Sequence, residues 1–397
     1  MSAFAIGSVL GLGGVTGAAA VFRNRFYASF AFVILGVHTL ITVGIHAQAA
    51  ELLGGALTPL YAYFQVAVYL HFLLLVKPRL RPLSYRLFVS LPGSWFAAGT
   101  FFALPWAVAG LVGLELPGVW LPYALAVVGL VQSLHIPRET VDLVIDRGDS
   151  GALSRQPTGE ERVERPLRIV QITDPHLGPF MSEARLAGIC QRAVDADPDL
   201  VLLTGDFFTM EAHGTPGSLG RALAPLKAIE GRTFACRGNH DHEAPRLVAE
   251  GLAEAGVLLL NDEAALVETP AGPVQILGLD HRWRGRVEAM REVCQAHPRI
   301  AGALRLVMLH DPSAFEQLDP GEGDLVFSGH THGGQVGLVS LGLSWTAVSG
   351  LFRIPDHGFW SRGPDRMYIH RGTGHYGFPL RLGVPAEESV LRVHPVG

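Results

Sequence analysis

Long apolar runs fill the first third of the chain. Residues 1–135 contain five of them, at about 3–22, 26–46, 52–76, 87–114 and 116–134. A helix needs roughly 20 apolar residues to cross a bilayer, and each run is near or above that length. The pattern therefore predicts an N-terminal α-helical transmembrane bundle of about five helices. It leaves open whether the glycine-rich first run and the proline-containing fourth run both span.

The rest of the chain has a different periodicity. Residues 136–165 are polar, which predicts a linker with one edge strand at about 141–145. From 166 to 397, short strand-like runs alternate with amphipathic stretches such as 182–196 and 244–255. That alternation is typical of helices packed on a β core, so the pattern alone predicts a mixed α/β domain at 166–397.

Basic residues in the connecting loops indicate an orientation. Arg23 and Arg25 follow the first apolar run and a basic stretch at 77–86 follows the third, whereas Glu51 and Glu115 follow the second and fourth. Loops rich in lysine and arginine stay on the cytoplasmic side. We therefore expect a multi-pass protein of the cell (inner) membrane whose C-terminal domain faces the cytoplasm.

Composition narrows the range of partners. The formal net charge of the 397 residues is −5, which argues against a nucleic-acid partner, because such proteins usually carry a basic face. The three cysteines, Cys190, Cys236 and Cys294, have neither disulfide-framework nor zinc-ribbon spacing, and we interpret them as small core residues. The lipid bilayer is an expected partner, and the oligomeric state stays open.

Candidate metal ligands follow five apolar runs of strand length. They come after 167–173, 200–204, 233–237, 306–309 and the stretch that ends near 328, and they are Asp174, His176, Asp206, Asn239, His310, His330 and His332. The pair His330 and His332 alone is also compatible with a solvated polar loop. Five such coincidences together predict a divalent metal site in the loops at the strand ends.

The order of these motifs resembles a known signature. Asp-x-His, Gly-Asp, Gly-Asn-His-Asp, His and Gly-His-x-His are similar to the motifs of calcineurin-like metallophosphoesterases, from about residue 165 to the C-terminus. The tail at 368–374 and 379–381 resembles the branch with bacterial membrane-associated phosphoesterases and the transmembrane protein with metallophosphoesterase domain. The resemblance implies a four-layer αββα sandwich and metal-dependent hydrolysis of phosphoric esters.

The resemblance also divides the ligands between two metals. It implies one ion bound by Asp174, His176 and His332 and a second bound by Asn239, His310 and His330, with Asp206 shared by both. Two divalent ions held in this way clamp the attacking and leaving oxygens, and a metal-bridging hydroxide is the expected nucleophile. Mn, Fe, Zn, Ni and Co all accept such a ligand set, so the metal identity stays open.

Other polar residues have weaker assignments. By resemblance His240 points at the phosphate as a catalytic residue, with the adjacent Asp241 as a candidate orienting partner; the alternative is that His240 only supports the metal ligands. His375 and Arg381 are candidate substrate-binding residues, with ordinary surface positions as the alternative. We interpret 280–281, Asp-His, as a surface turn in preference to a place near the site.

The stretch 336–365 contains many large apolar residues without a period of 2 or 3.6. We interpret it as a long loop or lid in which most of these side chains are buried. The alternative is an apolar edge that touches lipid or a lipid-linked substrate.

Together these features predict a membrane-anchored dimetal phosphohydrolase that cleaves a phosphodiester or pyrophosphate bond, with a lipid-linked substrate as the narrower hypothesis. Two alternatives remain: a membrane sensor or binding protein with a regulatory phosphoesterase-fold domain, and a phosphomonoesterase.

Overall fold

The computed structural model describes residues 2–146, 164–363 and 365–396. These residues separate into two units, Met1–Leu134 with Gly377–Leu382, and His135–Tyr376 with Gly383–Gly397. Most of the predicted linker, 147–163, lies outside the described residues, so the domain boundaries 1–135, 136–165 and 166–397 stay a prediction.

The N-terminal unit is helical. Its helices are α1 Ala3–Phe22, α2 Arg25–Leu53, α3 Thr58–Leu74, α4 Leu83–Tyr85, α5 Leu91–Phe102, α6 Leu104–Leu111 and α7 Leu121–Ser133, with a π-helical turn at Arg86–Ser90. α2 begins after Asn24, whose side-chain oxygen accepts a hydrogen bond from the backbone N–H of Tyr27 at 2.7 Å. Such a cap satisfies one of the free N–H groups of a first helical turn.

Fewer helices than expected are long enough to span a membrane. Among the described residues, Ala3–Phe22 and Arg25–Glu51 qualify by length and apolar composition. Leu83–Phe102 and Leu104–Leu111 are bent by 50° and add a third span only if they count as one broken helix. The expectation of about five spans is therefore not supported. Gly54 and Gly55 at positive φ end α2 and leave α3 with only 17 residues, and α7 has only 13.

Several buried polar side chains in the helical unit form hydrogen bonds with one another or with carbonyl groups. The Tyr27 hydroxyl donates to the Phe72 carbonyl at 2.6 Å. The Tyr69 hydroxyl accepts from Gln65 Nε2 at 2.6 Å and lies 2.7 Å from the Thr39 hydroxyl. Internal pairing of this kind is what a hydrocarbon environment demands, because lipid offers no hydrogen-bond partners.

Two six-stranded mixed sheets form the C-terminal unit. The strands are β1 Arg138–Asp146, β2 Leu167–Ile172, β3 Leu200–Leu203, β4 Thr233–Ala235, β5 Leu258–Leu259, β6 Glu263–Thr269, β7 Gly272–Leu279, β8 Leu304–Leu309, β9 Leu325–Ser328, β10 Gly358–Arg362, β11 Asp365–Ile369 and β12 Glu388–Val396. The first sheet has the order β1-β12-β2-β3-β4-β5 and the second β10-β11-β9-β8-β7-β6. The predicted edge strand at 141–145 is therefore present, as part of β1.

One hydrophobic cluster contains residues of both sheets, among them Ile169, Leu202, Ile276, Leu306 and Leu391. The helices of this unit are α8 Glu183–Asp195, α9 Ser218–Leu223, α10 Pro245–Glu254, α11 Arg286–Ala296 and α12 Ala347–Phe352. A second cluster packs α11 against β7, β8 and β9. All three cysteines are buried, which confirms their interpretation as core residues.

Candidate metal centre

The loops that follow β2, β3, β4, β8 and β9 carry all seven predicted metal ligands. β2, β3 and β4 are parallel and in register up to their last residues, with Ile172 paired to Leu203 and Leu203 to Ala235. β8 and β9 are parallel in the second sheet. Parallel strands bring their carboxyl ends to one edge of a sheet, which is why distant parts of the sequence meet there.

Asp174, His176 and His332 form a first group, in which one ligand atom of each residue lies within 4.8 Å of the others. His176 Nε2 is 3.1 Å from His332 Nε2, and His332 Nε2 is 3.4 Å from Asp174 Oδ1. Two ligands about 2.1 Å from one ion at tetrahedral or octahedral angles are about 3.0 to 3.4 Å apart. These spacings fit ligands of a single ion.

Asp206, His310 and His330 form a second group by the same measure. His310 Nε2 is 3.3 Å from Asp206 Oδ2, and the same oxygen is 3.7 Å from His176 Nε2 of the first group. Asp206 therefore lies between the two groups, the position required of a shared ligand. Asn239 Oδ1 is buried and has no hydrogen-bond partner among the described residues, as expected of an oxygen left for a metal.

The backbone at these residues is strained. Of the nine non-glycine residues with positive φ in the described chain, five are predicted ligands: Asp174, His176, Asp206, His330 and His332. Such conformations cost of order 1 kcal/mol or more each and concentrate at functional sites. Gly205, also at positive φ, permits a close approach, because a Cβ there would collide with the backbone nitrogen of Gly238.

Hydrogen bonds fix the orientation of the ligands. The Asp174 carboxylate accepts from the backbone N–H of His330 at 2.9 Å and from the Thr173 hydroxyl at 2.7 Å. His310 Nδ1 lies 2.6 Å from the Thr204 carbonyl oxygen, so Nδ1 donates to that oxygen and Nε2 is the nitrogen directed toward Asp206. Partners of this kind set the tautomer and angle of a metal-binding imidazole.

The charge states of the histidines also suit metal ions. Burial lowers the pKa of His176 to about 3 and that of His330 to about 4, so both rings are neutral, the form that binds metals. Burial lowers the pKa of His310 as well, but the carboxylate of Asp206 outweighs it and raises the value to about 10. A divalent cation would take the place of that proton beside Asp206. The donor set and its geometry thus fit two divalent ions.

Comparison with known proteins agrees with this geometry. The family profile described as calcineurin-like phosphoesterase matches residues 167–334. Phosphodiesterase YaeI of Escherichia coli K12 is 30% identical over 234 residues, which are 57% of this chain and 82% of YaeI. The chain belongs to the calcineurin-like phosphoesterase family. This family uses a dimetal centre, and its members hydrolyse phosphoric esters with metal ions, which makes the chain a metal-dependent phosphoester hydrolase.

Two further relatives have informative names. The UDP-2,3-diacylglucosamine pyrophosphatase LpxG of Chlamydia trachomatis is 26% identical over 288 residues, covering 57% of this chain and 83% of LpxG. The transmembrane protein with metallophosphoesterase domain of Danio rerio is 28% identical over 239 residues, covering 56% of this chain and 52% of that protein.

His240 lies beside the first ligand group, with its ring 5.5 Å from that of His176. Its Nδ1 is 3.3 Å from Glu243 Oε1, three residues along a 3-10 turn at His240–Glu243. Burial lowers the pKa of His240, but the hydrogen bond to Glu243 and the charge of Asp206 give a net rise. The sequence analysis did not single out Glu243, although its i,i+3 spacing from His240 could have indicated this pair.

Asp241 does not orient His240. Its carboxylate accepts hydrogen bonds from the backbone N–H groups of Asp206 at 2.8 Å, Phe207 at 2.9 Å and Gly238 at 2.8 Å. Burial raises its pKa to about 7, although these bonds oppose the rise. The expected orienting role is therefore wrong, because three backbone donors occupy the carboxylate. Asp241 instead holds the loop that carries Asp206.

Both predicted substrate-binding residues are buried. His375 packs against Phe180, with ring centroids 5.5 Å apart. Arg381 is fully buried, and its segment, Gly377–Leu382, groups with the helical unit, where its backbone N–H donates to the Gly129 carbonyl at 3.0 Å. The alternative of ordinary surface positions is therefore wrong for both residues.

Tyr376, which the sequence did not single out, does reach the site. Its ring centroid lies 4.6 Å from that of His240 and 5.3 Å from that of His176. The side-chain amide of Gln335 forms two hydrogen bonds with the backbone of Tyr376. Gln335 Oε1 accepts from the Tyr376 N–H at 2.9 Å, and Gln335 Nε2 donates to the Tyr376 carbonyl at 3.3 Å. No sequence pattern indicated this residue.

The interpretation of 280–281 as a surface turn is wrong. His281 is buried, and its ring lies 6.4 Å from those of His310 and His330. The turn brings it there because β7 is the parallel neighbour of β8, whose end carries His310. Trp283 is largely exposed and packs edge-on against His281, with ring centroids 4.8 Å apart.

Proposed function

We propose that the protein is a membrane-anchored dimetal phosphohydrolase that cleaves a phosphodiester or pyrophosphate bond. The position of Asp206 carries this proposal, because its Oδ2 lies 3.7 Å from a nitrogen of one ligand group and 3.3 Å from a nitrogen of the other. The seven ligands would be Asp174, His176, Asp206, Asn239, His310, His330 and His332. Bound divalent ions at such a pair of sites supply activation of water and stabilise charge on phosphoryl oxygens.

The residues around the ligands have separate tasks in this proposal. His240 protonates the leaving oxygen, and the hydrogen bond from its Nδ1 side to Glu243 keeps Nε2 directed away from Glu243. Asp241 keeps the backbone of Asp206 in its left-handed conformation. Tyr376 covers the rings of His176 and His240 and restricts water near them.

A membrane location and a lipid-linked substrate are part of the proposal. The two apolar helices α1 and α2 support membrane anchoring. The relative LpxG is named for a diacylated sugar nucleotide, which supports a phosphoester with a lipid portion. The basic loops at 23–25 and 77–86 support a cytoplasmic C-terminal domain. This orientation also requires that α3, the bent pair Leu83–Phe102 and Leu104–Leu111, and α7 cross the bilayer.

The four-layer αββα arrangement also remains a proposal. It is supported by the hydrophobic cluster that contains residues of both sheets and by the packing of α11 on the second sheet.

A substrate panel tests the proposed activity. The purified full-length protein in detergent micelles, loaded with Mn²⁺, would be assayed on a phosphodiester, a pyrophosphate and a phosphomonoester, each with and without an acyl-bearing portion. Faster turnover of the diester or pyrophosphate is expected. Preference for the monoester would select the phosphomonoesterase alternative, and no turnover of any substrate with two metals bound would favour a regulatory domain.

A further inference from the structure

Residues 336–360, here called the apolar flap, contain most of the exposed large apolar side chains of the described C-terminal unit. Seven large apolar side chains of the flap are exposed: Leu338, Leu341, Leu343, Trp345, Leu351, Phe352 and Trp360. Leu341 and Leu351 reach 74% exposure. The expected burial of most of these residues is therefore wrong.

The flap is ordered by its polar residues, not by its apolar ones. Thr346 and Asp356 are fully buried, and the Thr346 hydroxyl donates to the Asp356 carboxylate. Thr346 also caps α12, since its hydroxyl accepts from the Ser349 N–H at 3.1 Å and its N–H donates to the Ser349 hydroxyl at 3.2 Å. Polar groups inside and leucines outside are the reverse of an ordinary surface loop.

The flap is also hydrogen-bonded to the loop after β9 that carries His330 and His332, here called the metal loop. The hydroxyl of Thr331, which lies between the ligands His330 and His332, donates to the Asp356 carbonyl at 2.9 Å. The Ala347 N–H donates to the Val336 carbonyl at 2.8 Å. The exposed apolar side chains are thus held in one place relative to the ligand groups.

The charge of the flap fits a lipid surface. No acidic residue occurs from 336 to 355, and Asp356 is buried, whereas Arg353 is exposed. Segments that lie in the bilayer interface are typically rich in leucine and phenylalanine and also contain tryptophan and arginine. The other exposed large apolar residues of the described C-terminal unit, such as Leu258 and Ile300, are widely separated in the sequence.

We propose that the apolar flap inserts into the surface of a lipid bilayer and holds the metal centre at that surface. The candidate spans α1 and α2 of the same chain argue for a bilayer as the occupant, because they keep the domain at high local concentration beside lipid. Several exposed large apolar side chains on one ordered segment are typical of an interaction site. The proposal concerns location only, so it is independent of which phosphoester the metal centre cleaves.

Depth-dependent fluorescence quenching tests the insertion. The full-length Leu343→Cys variant would be labelled with an environment-sensitive thiol dye and reconstituted in nanodiscs with or without doxyl-labelled phospholipid. The native cysteines are buried, so the unsubstituted protein gives the labelling background. The matched control is Arg246→Cys on α10, where the side chain is 84% exposed.

Insertion predicts a blue-shifted emission and several-fold stronger quenching by doxyl lipid at position 343 than at 246, in the absence of any substrate. Equal quenching at the two positions would overturn the proposal. Quenching that appears only after a lipid-bearing substrate is added would assign the flap to substrate binding instead. A second copy of the chain is the remaining possible occupant of the flap. In that case energy transfer would occur between differently labelled copies, and both this transfer and the blue shift would disappear when each disc holds a single copy.

A functional arm separates this proposal from the proposed hydrolase activity. The Leu341→Gln and Phe352→Gln double variant is expected to keep two metals and its turnover of a water-soluble phosphodiester, and to lose lipid quenching at a labelled position 343. Undiminished quenching in that variant would contradict insertion. If the soluble diester is not cleaved by any form of the protein, the hydrolase proposal fails while the quenching result still stands.

Discussion

Glu243 Oε1 lies 3.3 Å from Nδ1 of His240, whereas the adjacent carboxylate of Asp241 is bound by three backbone N–H groups. The acid that contacts the proposed catalytic histidine is thus three residues away in sequence and not one. A 3-10 turn has three residues per turn, so it brings residues i and i+3 to the same side. The neighbouring position faces the opposite way, into the loop of Asp206.

This arrangement predicts how substitutions at His240 and Glu243 combine. His240→Ala should lower kcat by about 10²-fold or more, the usual range for a lost proton donor, with two metals still bound per chain. Glu243→Gln should lower kcat by less and should cost little when added to His240→Ala, because Glu243 acts through His240. Steady-state kinetics and metal analysis measure both. Glu250→Gln, on the exposed face of α10, is the matched control; additive losses would remove Glu243 from this role.

Substitution of the shared ligand should affect both metals. Asp206→Ala is expected to abolish phosphoester hydrolysis and to lower the metal content at both sites, because Asp206 Oδ2 lies near nitrogens of both groups. Elemental analysis after equilibration with limiting Mn²⁺ is the measurement, with Asp195→Ala on α8 as the control. Two metals and normal turnover in Asp206→Ala would exclude the dimetal arrangement.

The seven candidate ligands could be selected from sequence because each follows a buried strand, and parallel strands place such residues together whatever their separation in the chain. Asp241 and His281 could not be assigned, since their surroundings depend on backbone donors and on the neighbouring strand. The number of membrane spans was overestimated because the hydropathy of a segment does not show where a helix ends. Here α2 ends at Gly54 and Gly55, and a bend near Ala103 interrupts another helix. The flap was expected to be buried because apolar composition does not show whether a partner surface exists.

Glu387 provides a pH-dependent stability prediction away from the metal ligands. Burial raises its pKa, but His370 and Arg371 outweigh burial and lower it to about 2. The carboxylate accepts from the Arg371 N–H at 3.2 Å and from the Tyr368 hydroxyl. Because its folded pKa is below the unfolded value of about 4.3, its ionised form stabilises the fold above that pH. The contribution declines as pH falls from about 4.3 toward the folded value.

Glu387→Gln should therefore lower Tm clearly at pH 7, and the gap to the unsubstituted protein should narrow as the pH falls below about 4. Thermal unfolding of the full chain in detergent from pH 7 to pH 3 checks this, with the exposed Glu268→Gln as control. A Tm gap that is constant over this range, or that widens at low pH, would contradict the charged state assigned to Glu387.

The orientation proposed from the basic loops is testable in intact cells. A cysteine introduced at Glu51 or Glu115 should react with a membrane-impermeant thiol reagent added outside, and one introduced at Ser84 should not. Because the native cysteines are buried, the unsubstituted protein should show little labelling. Labelling at Ser84 without labelling at Glu51 would reverse the topology.

The substrate class gives the last prediction. A domain held beside a bilayer meets lipid-borne substrates at high effective concentration, and each CH₂ group buried on binding contributes about 0.8 kcal/mol. We expect kcat/KM for a lipid-bearing phosphodiester or pyrophosphate to exceed that of its head-group analogue by tenfold or more, about 1.4 kcal/mol. Trp345→Ala combined with Trp360→Ala should reduce this preference, because both rings are half-exposed on the flap, while cleavage of the analogue is unchanged. Equal kcat/KM for the two substrates in the unsubstituted protein would reject a lipid-linked substrate. An equal loss of kcat/KM for both substrates in the double variant would indicate that the tryptophans support the fold of the metal loop instead.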